Sequence, residues 1–445
     1  MNHLTRRIIF WSFVFIFFVL TAYLFLLVNS YVISFSSFKD SRPFISLQKA
    51  GILAVDSNPR GASVYIERKF KNFLNSKDGE QKESIITPHK VKNLIPGEYS
   101  LRVELDGYWP FEKDFKIVSG QTTYIESIAL LKKTLPLLIS PREVQEIEIS
   151  KDFSSIIFLD DKEIFDLKNE KDILISESIN DLNFLGANRF LVNKNIIFDY
   201  AKNNYLFLDD EFYKDVENIK AHKNNFYFIK DEKTLFSYSL ENNSQIIVVD
   251  SSKINDYYVN DEFVYLILED SSKKFLKVYS LKNNEIVREI EINFNSNFKI
   301  NNIIGSYVLL YDEIFSSLLI VEPFSRINTI RRSISDVKNI SIIDGNSFIY
   351  SSDFEIYIFD LNLFQGFLIS RLENEIGGVL WHPRSYLIFS SGNDIKAIDF
   401  KYDQQILNLF SLDNVGNIAL DRSGGALYFT GKIGRQEGLY KLYIQ

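Results

Sequence analysis

The sequence predicts an all-β protein carried on one N-terminal transmembrane helix, with a small β-sandwich followed by an eight-bladed β-propeller. Three observations predict this. Residues 8–28, IIFWSFVFIFFVLTAYLFLLV, contain no charged side chain. Aromatic residues make up 15% of the chain, with 39 Phe and 24 Tyr, a bias toward strands. From Glu143 onward, one pattern of apolar strand, polar turn, apolar strand and polar reversal returns about every forty residues.

The first element follows from its length. At about 1.5 Å per residue the apolar run spans roughly 30 Å, the thickness of a bilayer's hydrocarbon core. Arg6, Arg7 and the amino terminus precede it, so the positive-inside bias predicts a cytoplasmic tip (1–7), an anchor (8–30) and an extracytoplasmic remainder in a single-pass cell-membrane protein. Lys39, Arg42 and Lys49 act against that orientation from the far side, but the first flank usually dominates. The rival is a cleaved signal peptide ending near Val28-Asn29-Ser30. Signal h-regions run about 7–15 residues, and this one is longer and bulky at Trp11, Phe13, Phe15, Phe17 and Phe18.

Composition removes several classes of function. A net charge of −8 argues against wrapping a phosphate backbone, so nucleic acid is not an expected partner. With no cysteine there are no disulfides, thiolate metal sites or cysteine nucleophile. Four histidines, His3, His89, His222 and His382, show no metal-ligand spacing. His382, just before Pro383, is expected to be structural. No phosphate loop, Walker motif, nucleophile elbow or calcium loop is present. No catalytic residue, metal site or cofactor is therefore expected.

Residues 31–50 carry serines, one proline and no sustained periodicity, and are expected to form an extended stalk reaching roughly 65 Å. Residues 51–132 form short alternating strands, such as Tyr99 to Leu105, separated by the turn pairs Pro96-Gly97 and Asp106-Gly107. Strands this short, with a turn every ten or so residues, predict a small sandwich.

The strings GILAVDSNPRGASVYIE and ITPHKVKNLIPGEYSLRVELDGYWPFEKDFKIVSGQTTYIESIAL resemble a PEGA domain. Pro59, Gly61, Ala62, Val64, Tyr65, Thr87, Pro88, Pro96, Gly97, Gly107, Tyr108 and Gly120 occupy the motif positions. Arg60 stands where the name-giving Glu would be, and residues 68–84 replace a short hairpin. The resemblance implies an extracytoplasmic sandwich in a bacterial cell envelope, with no catalytic residues. Within the inserted segment, Arg68, Lys69 and Lys71 alternate with Phe70 and Phe73, a basic and aromatic tip suited to anionic lipid heads or a wall polymer. The alternative is a solvated loop balanced by Asp78, Glu80 and Glu83.

Residues 133–445 yield eight aligned copies, beginning at Ile156, Phe190, Phe226, Val264, Val308, Phe348, Leu387 and Leu427, with spacings of roughly 34 to 44 residues. Four strands per period of about 40 predict a propeller blade, since each sheet buries both faces against its neighbours. Seven blades remain the alternative if the short second copy, 179–208, is incomplete. The last copy stops after its third strand, so Thr134 to Ile139 is expected to return and supply the fourth, removing the ring's free edges. Third strands ending in apolar-Asp steps, at Ile164 to Leu167, Ile356 to Asp360 and Ile395 to Asp399, resemble WD repeats without their tryptophan. Trp381-His382-Pro383 and Leu420 to Gly424 are similar to turns of TolB-like WD40 propellers. Acidic pairs at Asp160-Asp161, Asp231-Glu232, Glu269-Asp270 and Asp312-Glu313 fall between second and third strands, where an acidic collar or plain exposed turns would place them.

The functional expectation is a non-enzymatic binding or scaffold protein that presents a propeller to an envelope protein or glycan. The alternative is a tethered glycan hydrolase or lyase using carboxylates at the central channel.

Overall fold

The computed structural model describes residues 3–35, 45–69, 85–141 and, from 147 onward, all but short stretches, of which 174–181 and 208–215 are the longest. The chain divides into two units. One holds residues 1–134 with Ile444 and Gln445, the other residues 135–443.

In the first unit, α1 (His3–Val28) is a single helix of 26 residues. Its segment Ile9–Leu26 has a mean hydropathy of 2.4 and no buried share, so by length and composition it can cross a membrane. The helix stops where Asn29 donates from its side-chain amide to the Phe25 carbonyl at 2.8 Å and Ser30 turns left-handed at φ +58°.

The stretch after the helix differs from the extended stalk its composition suggests. Tyr31–Phe35 and Ile45–Lys49 pair antiparallel, with Tyr31 opposite Lys49 and Phe35 opposite Ile45. Five-residue strands are too short to show a clear period, yet pairing satisfies their backbone groups. The ribbon continues into the sandwich, where the Ser119 hydroxyl donates to the Lys49 carbonyl at 3.0 Å.

The sandwich has a three-stranded sheet (His89–Leu94, Gly51–Asn58, Thr122–Ala129) and a four-stranded one (Ile85–Ile86, Ser63–Arg68, Gly97–Glu104, Phe111–Ile117). Alternation in Gly97–Glu104 turns Tyr99, Leu101 and Val103 inward, and Leu53, Val64, Ile117 and Ile125 meet them in the core. Each fully buried aliphatic side chain contributes about 1.5–3 kcal/mol.

The second unit contains eight four-stranded antiparallel sheets among the described residues, which we number blades 1 to 8. Blades 1 to 7 take residues 147–173, 182–207, 216–250, 253–292, 298–334, 339–371 and 376–411. The short second copy therefore forms a complete sheet. Blade 8 consists of Asn414–Leu420, Ala426–Ile433, Gln436–Tyr443 and, from the start of the unit, Leu137–Ser140. Its closing register sets Leu137 opposite Lys441 and Leu138 opposite Tyr440. Gly438 makes this close approach possible, since a Cβ there would lie 2.2 Å from the Ser140 carbonyl oxygen.

Apolar side chains cement successive blades. Ile267 and Val278 of blade 4 pack with Val308 and Leu310 of blade 5, and Ile349 and Ile358 of blade 6 pack with Leu387 and Phe389 of blade 7. Phe165 of blade 1 packs against Tyr428 and Leu439 of blade 8, which completes the cycle.

Five outer strands share one device. Register shifts leave Val248, Val287, Arg331, Ile369 and Leu409 as extra residues in the fourth strands of blades 3 to 7. Bulges of this kind bend an exposed edge away from pairing with another chain. Val248, Ile369 and Leu409 also turn into the core.

Candidate functional site

The PEGA-type positions meet at one corner of the sandwich. The buried Thr87 hydroxyl lies 2.6 Å from the Ser57 hydroxyl, which donates onward to the Pro59 carbonyl at 2.6 Å. Thr87 Oγ1 also accepts the Ala62 N–H at 3.1 Å, and its carbonyl accepts the Gly61 N–H at 3.0 Å. Gly61 has φ +92°, and the bonds preceding Pro59 and Pro88 are both cis. The hydroxyls and N–H groups named here satisfy one another within the turn, while the neighbouring Asp56 pairs with Arg60 through one oxygen and buries the other without a hydrogen-bond partner. Pro96 offers its carbonyl to Arg68 at 3.2 Å, and a Cβ at Gly97 would meet the Arg68 Nε at 3.3 Å. Gly107 turns the chain at φ +77°, and Tyr108 bridges to Lys132. Tyr65 instead faces a polar hollow of about 410 Å³, where Arg102 lies between Glu104 and Glu112.

Of the candidate surface loop, Arg68 and Lys69 are placed within the sandwich, and Lys69 pairs with Asp114. Phe70, Lys71 and Phe73 lie outside the described residues.

The second- to third-strand turns carry the acidic pairs as the sequence arranges them, and Asp160-Asp161 lies outside the described residues. Among the described residues, each glutamate of these pairs faces a lysine. Glu232 faces Lys253 at 3.7 Å, Glu269 faces Lys274 at 3.9 Å and Glu313 faces Lys299 at 2.5 Å. Asp312 is 1% exposed and accepts the N–H groups of Asn297 and Ile314. Among the described residues, no cluster of His, Asp and Glu is arranged to hold a metal ion.

First strands approach one another between successive blades, and a polar bolt spans three of them. Asp256 of blade 4, 4% exposed, accepts from Lys220 Nζ at 2.6 Å and Asn218 Nδ2 at 2.9 Å, both of blade 3. Its other oxygen accepts the Ile300 N–H of blade 5 at 2.7 Å. The Tyr257 hydroxyl donates into the same region, to the carbonyls of Asn218 and Tyr227, and burial pushes its pKa well up. With both oxygens engaged, Asp256 holds blades in place. Sequence reading missed it because its partners come from the two repeats on either side of its own.

Two turns that resemble TolB-type turns touch each other. His382 in blade 7 is fully buried, and its Nε2–H donates to the Gly424 carbonyl of blade 8 at 2.8 Å. Its Nδ1 accepts the Arg384 N–H at 3.2 Å. Both ring nitrogens are thus satisfied in the neutral form, and desolvation lowers the pKa.

A cleft of the second unit lies between blades 5 and 6. It has a volume of about 380 Å³ and is lined by Arg332, Ser333 and Asp336 from the end of blade 5 and by Tyr350, Glu355 and Tyr357 from blade 6. Tyr350 and Tyr357 are cross-strand partners, so their side chains emerge on the same face of the sheet. Their rings stack at 4.9 Å and 6°. Tyr357 donates its hydroxyl to Glu355 at 2.5 Å, and Arg371 pairs with Glu355 at 2.5 Å. These two contacts, the tyrosine first, hold the Glu355 carboxyl below its ordinary range. The same hydrogen bond pushes Tyr357 up to about 12.

Arg332 donates to the Phe364 carbonyl at 3.1 Å and lies over the Phe359 ring at 5.7 Å. Gly366 leaves room for the Tyr350 hydroxyl, which would lie 2.9 Å from a Cβ there. Asp336 sits left-handed at φ +55°, and the next residue, buried Val337, donates to the Ser316 carbonyl at 2.8 Å. The sequence signal for this cleft was two tyrosines at equal distances from one turn in Tyr350-Ser-Ser-Asp-Phe-Glu-Ile-Tyr357, a pattern that also reads as ordinary strand alternation.

Comparison with known proteins bears on both units. The PEGA domain family matches residues 78–130, the second part of the sandwich. No curated protein sequence matches the chain. Among solved structures, the computationally designed Ika8 protein is 12% identical with a TM-score of 0.50, covering 68% of this chain and 97% of that one. The Pan2 WD40 domain of Neurospora crassa is 11% identical with a TM-score of 0.38, covering 58% of this chain and 87% of that one. Hsv2 of Kluyveromyces lactis is 11% identical with a TM-score of 0.37, over 66% and 90%. At these identities the likeness concerns fold alone. The chain combines an N-terminal apolar helix, a PEGA-type sandwich and a propeller fold of four-stranded sheets.

Proposed function

We propose that this chain is a membrane-anchored, extracytoplasmic binding or scaffold protein of a bacterial cell envelope, whose propeller engages a protein or glycan partner. One observation carries the reading: a 26-residue apolar helix with Arg6 and Arg7 at its start leads directly into two strand-built units. The resident chemistry supports binding. The buried carboxylate among the first strands, Asp256, is fully engaged, and Glu232, Glu269 and Glu313 of the turns are paired with lysines.

The chain lacks cysteine, which makes topology directly testable. Single-cysteine variants Lys282→Cys, on an exposed turn of blade 4, and Arg6→Cys are labelled in whole cells with a membrane-impermeant maleimide after the outer barrier is opened. The reading expects labelling at position 282 and protection at position 6. Protection at 282 with labelling at 6 contradicts it.

A further inference from the structure

We infer that the cleft between blades 5 and 6 binds a neutral, hydroxyl-rich ring, that is, a sugar unit of a glycan. This deepens the proposed binding role by assigning it a site and a ligand class.

The volume, about 380 Å³, falls within the roughly 300–1,000 Å³ range of small-ligand clefts. Charge around the cleft is balanced. The lining carries one cation, Arg332, and two acids, Asp336 and Glu355, and Arg371 from outside the lining already closes on Glu355 at 2.5 Å. A strongly anionic or cationic ligand would therefore leave one charge unmatched, at a cost in desolvation.

The remaining polar lining is hydroxyl, from Ser333, Ser335, Ser352 and Tyr357. Hydroxyls donate and accept, carboxylates only accept and guanidinium groups only donate. A polyol is the ligand that pairs with all three. Its C–H face also needs a flat apolar surface, and the half-buried Tyr357 ring, backed by the buried Tyr350 ring on which it stacks, is placed to supply one.

The floor is built in advance. Tyr357 is held by Glu355, Glu355 by Arg371, and Tyr350 is accommodated because position 366 is glycine. Preorganisation of this kind lowers the entropic cost of binding a weakly interacting ligand.

The test uses the full chain in lipid nanodiscs, titrated calorimetrically with maltotetraose, chitotetraose and, separately, inorganic phosphate. Saturable binding of at least one oligosaccharide is expected. Tyr357→Ala and Asp336→Asn should each weaken it by about tenfold, while Lys282→Ala leaves it unchanged. Asp336 is exposed, so that variant keeps the test informative even if Tyr357→Ala misfolds. Binding of phosphate alone, no binding of either oligosaccharide, or binding that Asp336→Asn leaves unchanged overturns the inference. None of these outcomes alters the maleimide result, so failure here is distinguishable from failure of the anchored topology.

Discussion

His382 shows how much a single side chain can tie together. Neutral, it donates to Gly424 and accepts from Arg384; protonated, it turns Nδ1 into a donor facing another donor. Its folded pKa is lowered, so the stability it contributes is present above the unfolded value near 6.5 and is lost as pH falls through the folded value. Thermal unfolding of the full chain followed across pH should show a midpoint falling below about pH 6.5, with the slope reduced in His382→Gln. Glu355 follows the same sign at lower pH, since its folded pKa is also lowered. Tyr357 runs the other way: raised to about 12, it contributes stability below about pH 10 and loses it as pH rises through 12.

Asp256 is the second residue with a measurable weight. Asp256→Ala removes the acceptor for Lys220, Asn218 and the Ile300 N–H together. Because Lys220 is 37% exposed and can rehydrate, the expected loss is at the low end for a broken buried pair, about 3 kcal/mol by urea denaturation. The sequence leads one to expect a structural His382, but neither its partner in the next repeat nor the role of Asp256 was readable there. Hydrogen bonds between separate repeats leave no periodic signal, whereas the hydrophobic pattern within each repeat does.

At the scale of elements, strand alternation was the legible part. The repeating pattern coincides with four-stranded sheets among the described residues, and the third-strand aspartates resembling WD repeats have a local job. Asp360 accepts the N–H groups of Asn362 and Leu363, and Asp399 accepts those of Lys401 and Tyr402, so each shapes the turn into the fourth strand. The pairing of Tyr31–Phe35 with Ile45–Lys49 was not legible, because two five-residue strands carry too little pattern. The seam strand itself gives a sharp prediction. Gly438→Ala places a methyl group 2.2 Å from the Ser140 carbonyl oxygen, so the seam must part or shift. A loss of about 2 kcal/mol is expected, read as a lowered thermal midpoint of the propeller. Gly434→Ala, at a turn with nothing within 4 Å, should cost less, limited to its φ of +64°.

At the scale of the whole molecule, the fold rests on a ring closed by strands from opposite ends of the second unit. Closure removes two sheet edges and makes each blade a neighbour of two others, so the outer bulges are left to protect only the rim. Such a frame holds its turns and inter-blade clefts at fixed positions, which suits recognition. Closure can be measured directly in this cysteine-free chain. Leu137 and Lys441 are paired across the seam, and directly opposed strand residues have Cα atoms about 4.5–5.5 Å apart, within disulfide reach. The double variant Leu137→Cys/Lys441→Cys, oxidised in dilute solution and mapped by mass spectrometry, should give one intrachain disulfide linking 137 to 441. Free thiols or only intermolecular links under the same conditions would contradict the closed ring.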